Sequence, residues 1–491
     1  MKTLDILIIV AYLGILLVLG GVFFSKDRTA SRFTLGSGKI PSWVVTLSIF
    51  ATFVSSISYL ALPGSAFSGN WNPFVFSLSI PVAAVIAVKF FVPIYRKINS
   101  PSAYTYLEQR YGTWAKQYAA FCYLLTQLMR IGTILFLLAV AINAIVDWNI
   151  LWVIILTGLF VSLYAILGGI EAVLWADAIQ AILLILGALL CLIFIFVQLP
   201  EGVLGFFNTA LEQNKFSLGH FNLDLNAPTF WVVLIYGIFI NLQNFGIDQN
   251  YIQRYMVLNT EQSAKRAAFF GGMIYLPVSA LFLFIGTALY VYYSQNNSLP
   301  IELQNNGDQV FPYFIANELP SGLSGLLVAS IFAAGMSTIS TSFNSMATVF
   351  LTDFYPTQGG TVLSERKKIK ILYIVSILIG IAGIVVAIAM INVKGILDSW
   401  WKFASIFSGG MLGLFLLGIS TQSNSKAVPI ISVISGVLVI LWMTLSLRFP
   451  SKAWALELHP YLIIVAGTMV IFVLGFLLIG FLNRFPKLGL K

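Results

Sequence analysis

The chain has 491 residues, of which 59% are hydrophobic and only 9% are charged. A water-soluble protein carries roughly 25% charged residues, so the composition excludes an ordinary soluble domain and predicts a polytopic membrane protein. The formal net charge is +9, but the basic residues cluster in short loops between apolar runs, where they indicate topology. We therefore expect a lipid bilayer around the chain and no nucleic-acid partner.

The apolar runs predict about 13 membrane-spanning helices, each long enough to cross ~30 Å of hydrocarbon. They cover approximately residues 4–24, 43–68, 73–95, 117–146, 150–168, 172–199, 229–250, 265–294, 321–353, 368–393, 396–419, 428–447 and 459–483. If the loop after the first run is cytoplasmic, most of the 27 lysines and arginines lie on the cytoplasmic side, as the positive-inside rule requires. This predicts a cell-membrane protein with its N-terminus outside and its C-terminus inside.

The sequence lacks the parts of most enzymes. The two cysteines, Cys122 and Cys191, lie inside apolar runs, and the two histidines, His220 and His459, lie outside the predicted spans. Neither a metal centre nor a nucleophile–base pair can be assembled from them, and no P-loop for ATP is present. We therefore expect a transporter rather than an enzyme or an ATP-driven pump.

Polar and helix-breaking residues interrupt the second and seventh runs. Segment 51–58, followed by Pro63 and Gly64, interrupts the second run, and segment 241–246, followed by Asp248, interrupts the seventh. Such backbone is tolerated at membrane depth where it lines a cavity or is buried in protein. Small residues also allow close helix packing, but two interruptions five runs apart favour discontinuous helices in two inverted repeats.

Arg130 lies deep inside the fourth run. At 1.5 Å per residue, it is roughly 20 Å along its helix, which is too deep for its side chain to reach the bilayer surface easily. A cation there costs at least ~2.5 kcal/mol on insertion scales and must face a partner or water. A planar guanidinium matches a carboxylate with two hydrogen bonds, so we predict a substrate carboxylate as its partner and an internal ion pair as the alternative.

Hydroxyl-bearing residues follow one face of the ninth run. At ~100° per residue, this face contains Ser337, Thr338, Ser340, Thr341, Asn344, Ser345 and Thr348. Oxygen ligands suit a hard cation, and unwound backbone near Ala51 and Val54 could add carbonyl oxygens. Asp177 could add negative charge, with an interfacial structural role as the alternative. A proton-coupled carrier using Asp177 is the nearest rival, but a proton needs no oxygen cage.

Several other residues lie close to the predicted span ends. Asp248 and Asp353 are interpreted as interfacial groups. Trp400 and Trp401 are interpreted as anchors in the aromatic belt, and closure of a substrate cavity is the alternative for both. None of the four is assigned to a binding site on this reasoning.

Four short motifs and one longer stretch resemble the sodium:solute symporter family, which includes sodium-coupled carriers of sugars, iodide, proline and sialic acid. The markers are VPIY at 92–95, YLEQRYG at 106–112, WADAIQ at 175–180, DQNYIQRY at 248–255 and the stretch 334–355. The likeness runs from about residue 33 to 419. It implies an all-α, LeuT-like 5+5 inverted-repeat fold with extra helices at both ends.

This resemblance implies a division of the chain into five parts. Residues 1–42 form an extra N-terminal helix and a cytoplasmic loop, and 43–199 form the first five-helix repeat. An extracellular loop over 200–228 leads to the inverted second repeat at 229–419, and 420–491 hold the extra C-terminal helices. We expect such a carrier to function as a monomer.

The resemblance also implies sodium as the coupling ion. The principal site would consist of the carbonyls of Ala51, Val54 and Ala334 and the hydroxyls of Ser337 and Thr338. Sialic acid carriers of this family hold a second sodium, which here would fall on Asp177, Ser337, Thr338, Ser340 and Thr341. Because this second cluster does not occur in every family member, the number of ions stays open between one and two.

The substrate implied by the resemblance is a carboxylate-bearing sugar. The segment RIGTILF at 130–136 resembles that of the sialic acid carriers whose arginine holds the sugar carboxylate, and Ser55 and Ser58 fit their first broken helix. Asn241 is a further predicted contact. Ser77 is shorter than the polar group expected there, so another sugar acid or a simpler monocarboxylate remains the alternative to N-acetylneuraminate.

Overall fold

The computed structural model describes residues 2–24, 29–296, 299–304, 306–355, 363–391, 396–422 and 425–484. Every regular element in these residues is a helix, as predicted. In chain order, the α-helices are α1 Thr3–Val22, α2 Ala30–Leu35, α3 Ser42–Phe53, α4 Ser56–Ser68, α5 Phe74–Leu78, α6 Ile80–Ile86, α7 Val92–Ile98, α8 Thr105–Tyr111, α9 Thr113–Val146, α10 Ile150–Gln198, α11 Gly202–Glu212, α12 Phe230–Ile247, α13 Gln249–Val257, α14 Glu261–Asn296, α15 Gly307–Asn317, α16 Leu323–Val349, α17 Glu365–Ala389, α18 Ile396–Phe407, α19 Met411–Ser420, α20 Ala427–Arg448 and α21 Leu462–Arg484. Two π-helical turns, Ala87–Phe91 and Phe350–Phe354, and a 3₁₀ turn, Ile301–Leu303, complete them.

Within the described residues, ten helices are long and apolar enough to span a membrane, and two bent pairs bring the number to as many as 12. The predicted span at 150–168 corresponds to the shorter apolar helix Ile150–Ile166. It runs into the next span through Gly169, whose φ of 60° and ψ of −164° produce a kink inside α10. The chain is a multi-pass membrane protein, and the number of 13 spans stays a prediction.

The second span is broken where the sequence predicted it. Helix α3 ends at Phe53 and α4 begins at Ser56, and Val54 and Ser55 between them have extended backbone. The two halves meet at an angle of 50°. Because the last carbonyls of a helix have no partner in the next turn, this break exposes backbone oxygens at membrane depth.

The helix of the seventh span is also interrupted, at the C-terminal part of the predicted interruption. Segment 241–246 is helical, and the break lies at Asp248 between α12 and α13. The backbone amide of Asp248 donates to the carbonyl of Gln243 at 3.0 Å, while its carboxylate accepts from the amide of Asn250 at 2.8 Å. Asp248 thus ends one helix and caps the next, which a hydropathy pattern does not show.

Helix α4, the second half of the broken span, packs closely against α14 and α15. A Cβ added to Gly64 would lie 2.8 Å from the carbonyl carbon of Gly307, and one added to Gly286 would lie 2.1 Å from the carbonyl oxygen of Pro63. Small residues therefore permit this backbone-to-backbone contact. The ammonium of Lys215, from the loop after α11, donates to the carbonyl of Phe67 at 2.6 Å near the end of α4.

Lys215 is buried but remains charged at neutral pH. Its Nζ lies 3.6 Å from the centre of the Tyr290 ring and 3.1 Å from the carbonyl oxygen of Gly69. Burial lowers the pKa of Lys215 to about 8. Because this value is above 7, the protonated form of Lys215 predominates at neutral pH. A cation at the C-terminal end of α4 complements the helix dipole and ties this end to α14.

Candidate functional site

A central cavity lies between the two broken spans. About 870 Å³ of space free of protein atoms lies between its lining residues, including the part open to solvent. Its polar lining residues are Ser55, Ser58, Ser77, Thr126, Gln127, Arg130, Gln243, Asn244 and Asp248. Its aromatic lining residues are Phe53, Phe76, Tyr236, Tyr251, Tyr275, Trp400 and Trp401. Polar groups against aromatic faces suit a ligand that is both hydrophilic and carbon-rich.

Arg130 supplies the positive charge of the cavity. It is 9% exposed, and one of its terminal nitrogens donates to the carbonyl of Thr52, in the last turn of α3, at 2.8 Å. Among the described residues, no carboxylate lies within salt-bridge distance of it. Arg130 thus forms no ion pair at hydrogen-bond distance with a described residue, although the charge of Asp248 in the same cavity attracts it over a longer distance.

Asp248 lines the same cavity, and the expectation of an interfacial group is wrong for it. It is 7% exposed, and its carboxylate accepts from the side-chain amide of Gln127 at 2.9 Å. Gln127 in turn accepts from the hydroxyl of Ser342 on α16 at 2.9 Å. A buried carboxylate needs hydrogen-bond donors, and Gln127 supplies one to Asp248. These hydrogen bonds connect the second break to α9 and α16.

Asp353 is also buried rather than interfacial. It is 5% exposed, lies in the π-helical turn that follows α16, and accepts from the hydroxyl of Ser102 at 2.6 Å. Its carboxylate therefore lies in the protein interior and not on the lipid-facing surface.

The aromatic-belt prediction fails for Trp401. It is 9% exposed and stacks on Phe76 with 5.5 Å between ring centres, while its edge meets Tyr461 at 4.9 Å. Trp400 lines the cavity beside it. The alternative use of this pair, as a wall of the cavity, is the arrangement found. A hydropathy pattern cannot distinguish an aromatic-belt anchor from a cavity wall, because either role places an aromatic residue near the end of a helix.

The predicted substrate contacts divide into two groups. Ser55, Ser58 and Ser77 line the cavity together with Arg130. Asn241 is fully buried, and its amide donates to the hydroxyl of Ser79 at 2.8 Å and to the carbonyl of Phe76 at 3.2 Å. Its side chain joins α12 to the α5–α6 corner and is not among the residues lining the cavity.

The five residues predicted for the principal sodium site lie together behind the first break. The hydroxyl of Ser337 is 3.4 Å from the carbonyl oxygen of Ala51 and 3.2 Å from that of Ala334. The hydroxyl of Thr338 is 3.3 Å from the carbonyl oxygen of Val54. Hydrogen-bond distances thus connect these neutral oxygens of the first break and α16, and oxygen ligands of this kind suit a hard cation.

Asp177 lies in a second polar cluster, completely buried. Its Oδ2 accepts from the hydroxyl of Ser48 at 2.5 Å and from the guanidinium of Arg254 at 2.6 Å. Arg254 also donates to the hydroxyl of Thr341 at 2.6 Å. The structure therefore brings Asp177 and Thr341 together through Arg254, whereas the hydroxyl of Ser340 donates to the carbonyl of Ser337 in its own helix.

Arg254 is the functional candidate that sequence reasoning missed. Counting loop charges places it on the cytoplasmic side, but its side chain is fully buried and joins α13 to α3, α10 and α16. The DQNYIQRY motif that contains it was a family marker without an assigned role. A buried acid such as Asp177 implies a partner, and this requirement was the available signal.

Removing this partner is expected to destabilise the protein strongly. Arg254→Met leaves the carboxylate of Asp177 buried without a counter-charge, which costs ~3–5 kcal/mol and lowers the melting temperature in detergent. The double variant Arg254→Met/Asp177→Asn removes both charges and should recover part of the loss. Equal melting temperatures for the parent and the single variant would contradict a structural ion pair here.

Comparisons with known proteins place these features in a family. Residues 33–436 match the sodium:solute symporter family. The sodium/sialic acid symporter NanT of Aliivibrio fischeri is 30% identical over 479 residues, covering 97% of this chain and 92% of that protein. SiaT of Proteus mirabilis, another sodium/sialic acid symporter, is 31% identical over 472 residues, covering 95% and 93%.

A solved structure of a Na⁺-coupled sialic acid symporter, in a substrate-bound outward-open state, superposes with a TM-score of 0.90 at 29% identity, covering 98% of both chains. Its fold and the family match confirm the expected all-helical LeuT-like class and a transporter rather than an enzyme. The chain belongs to the sodium:solute symporter family.

Proposed function

We propose that this chain is a sodium-coupled symporter that imports a carboxylate-bearing sugar, N-acetylneuraminate, across the cell membrane. The observation that carries the proposal is Arg130, a guanidinium that lines a polar and aromatic cavity without a carboxylate partner among the described residues. A neutral sugar would leave this buried cation without an ion pair at hydrogen-bond distance, and that is costly. The names of the two bacterial relatives and of the solved neighbour support the same substrate.

In the proposed complex, the substrate carboxylate accepts two parallel hydrogen bonds from Arg130. Ser55, Ser58 and Ser77 contact its polar groups from the first broken span and the following helix. Asn241 stays a predicted contact, and its bonds to Phe76 and Ser79 support a role in holding that wall. The aromatic residues pack against the carbon skeleton.

Sodium is the coupling ion in this proposal. The carbonyls of Ala51, Val54 and Ala334 with the hydroxyls of Ser337 and Thr338 bind the first ion, and Asp177 with Ser340 and Thr341 is the proposed place for a second. Asp177 and Thr341 already contact Arg254. A second sodium ion would therefore share the carboxylate of Asp177 with the guanidinium of Arg254. Each charge that crosses 100 mV adds ~2.3 kcal/mol to the driving force.

Transport follows from the position of the first ion. Sodium between α3 and α16 fixes the break next to Ser55, and thus prepares the cavity before the substrate arrives. Rocking of one inverted repeat, 43–199, against the other, 229–419, then opens the cavity inward. The N-terminus is proposed to lie outside and the C-terminus inside, and the monomer is proposed to be sufficient.

Uptake in proteoliposomes tests the function directly. With an inward sodium gradient, the parent protein should accumulate radiolabelled N-acetylneuraminate above its equilibrium level, and potassium in place of sodium should abolish this. Accumulation of a different carboxylate but no N-acetylneuraminate would contradict the substrate. Equal uptake in potassium, driven by a proton gradient, would contradict sodium coupling and favour Asp177 as a proton site.

A further inference from the structure

Gln243 presents a buried amide to the cavity. It lies in the last turn of α12, is 6% exposed and lines the cavity. Its Oε1 has no hydrogen-bond partner among the described residues. A buried amide oxygen without a partner costs ~1–3 kcal/mol, and among the cavity-lining glutamines and asparagines Gln243 is the one with such an oxygen within the described residues.

A second glutamine in the same cavity shows the contrast. The amide of Gln127 donates to Asp248 at 2.9 Å and accepts from Ser342 at 2.9 Å, so both of its ends are used within the protein. The fold can therefore satisfy a glutamine in this environment, and Gln127 has a structural role. Gln243 also lines the cavity, but the Oε1 acceptor of its amide is unused within the described residues.

The position of Gln243 is fixed by its backbone. Its carbonyl accepts from the amide of Asp248 at 3.0 Å, across the break between α12 and α13. Asp248 is itself held by Gln127 on α9, the helix that carries Arg130. Hydrogen bonds thus connect Gln243 to the helix that carries Arg130. A ligand group in contact with Gln243 would therefore lie at a fixed distance from a ligand carboxylate bound to Arg130.

The unused atom is an acceptor and requires a donor from the ligand. An ionised monocarboxylate without hydroxyl groups, such as butyrate, has no donor to offer, whereas a sugar acid has several hydroxyl groups. A primary amide also offers N–H donors beside its oxygen, so it pairs with hydroxyls, which both donate and accept. We propose that Gln243 accepts a hydrogen bond from a substrate hydroxyl and so selects a hydroxylated sugar acid over a simple monocarboxylate, an inference that rests on the proposed function.

A thermodynamic cycle between protein and ligand tests the contact. Dissociation constants are measured with sodium present for N-acetylneuraminate and for analogues in which one hydroxyl is replaced by hydrogen, on the parent and on Gln243→Met. One neutral hydrogen bond contributes ~1 kcal/mol, so we expect the variant to bind the full sugar about five- to tenfold more weakly. One deoxy analogue should lose the same factor on the parent and nothing further on the variant.

If, for every analogue, the loss of affinity from the deoxy change multiplied with the loss from Gln243→Met, the two groups would not be in contact and the proposal would be overturned. Unchanged affinity of the variant for the full sugar would overturn it as well. Butyrate, as a competitor without a donor, should inhibit both proteins with equal constants, and a loss of its affinity in the variant would also overturn the proposal. Gln243→Leu provides a second variant if the methionine variant melts early. Absence of sodium-dependent N-acetylneuraminate binding by the parent would instead contradict the proposed function.

Discussion

Arg130→Ala is expected to weaken sodium-dependent substrate binding by about 30-fold or more. Truncating one partner of a buried charge pair costs ~2–5 kcal/mol, because the substrate carboxylate would enter a largely buried cavity with its counter-charge removed. The bond from Arg130 to the carbonyl of Thr52 would be lost as well, but a single bond of this kind accounts for a smaller part. Isothermal titration with N-acetylneuraminate in sodium measures the effect.

Arg130→Lys is the matched control for this experiment. It keeps the positive charge but replaces the planar fork by a single ammonium, so an intermediate loss of affinity is expected. If the charge alone mattered, the lysine variant would bind like the parent. Parent-like affinity in the alanine variant would show that the carboxylate binds elsewhere. As a control, the increase in melting temperature that sodium causes in each variant without substrate shows whether the ion site is intact.

Thr338→Val is expected to raise the sodium concentration for half-maximal transport by about tenfold or more. Valine has the shape of threonine without its hydroxyl, so the change removes one oxygen near the carbonyls of Val54 and Ala334. A bond to a charged group is worth ~1.5–3 kcal/mol, which corresponds to ~10- to 150-fold. Uptake measured against sodium concentration at saturating substrate gives the value, and Ser337→Ala should behave similarly.

Ser330→Ala offers a control in the same helix. Its hydroxyl donates to the carbonyls of Leu326 and Leu183, two turns from Ser337, so its loss should leave the sodium dependence unchanged. Equal shifts in Thr338→Val and Ser330→Ala would point to a general disturbance of α16. An unshifted sodium dependence in Thr338→Val would contradict its role as a ligand.

The membrane class, the helical fold and the first break were predictable because they depend on local properties of the chain. Apolar runs predict spans by their length, and the polar segment around Ser55 marks a discontinuity wherever its neighbours lie. The hydroxyl face of α16 follows from helical periodicity. Arg130 stood out for a similar reason, since a cation at its depth is expensive in any arrangement of helices.

Tertiary structure decided which side chains meet. Asp248 and Arg254 lie near helix ends in sequence and look interfacial, but packing of α13 against α3, α9 and α16 buries both. The same packing turns Asn241 away from the cavity and Gln243 towards it, although both belong to one polar segment. Composition and helical periodicity identify the residues whose burial in a membrane costs free energy. Whether such a residue finds a partner within the protein depends on how the helices pack, because the partner often belongs to a distant part of the chain. A polar group left without a partner in the packed structure is the one that a ligand can satisfy.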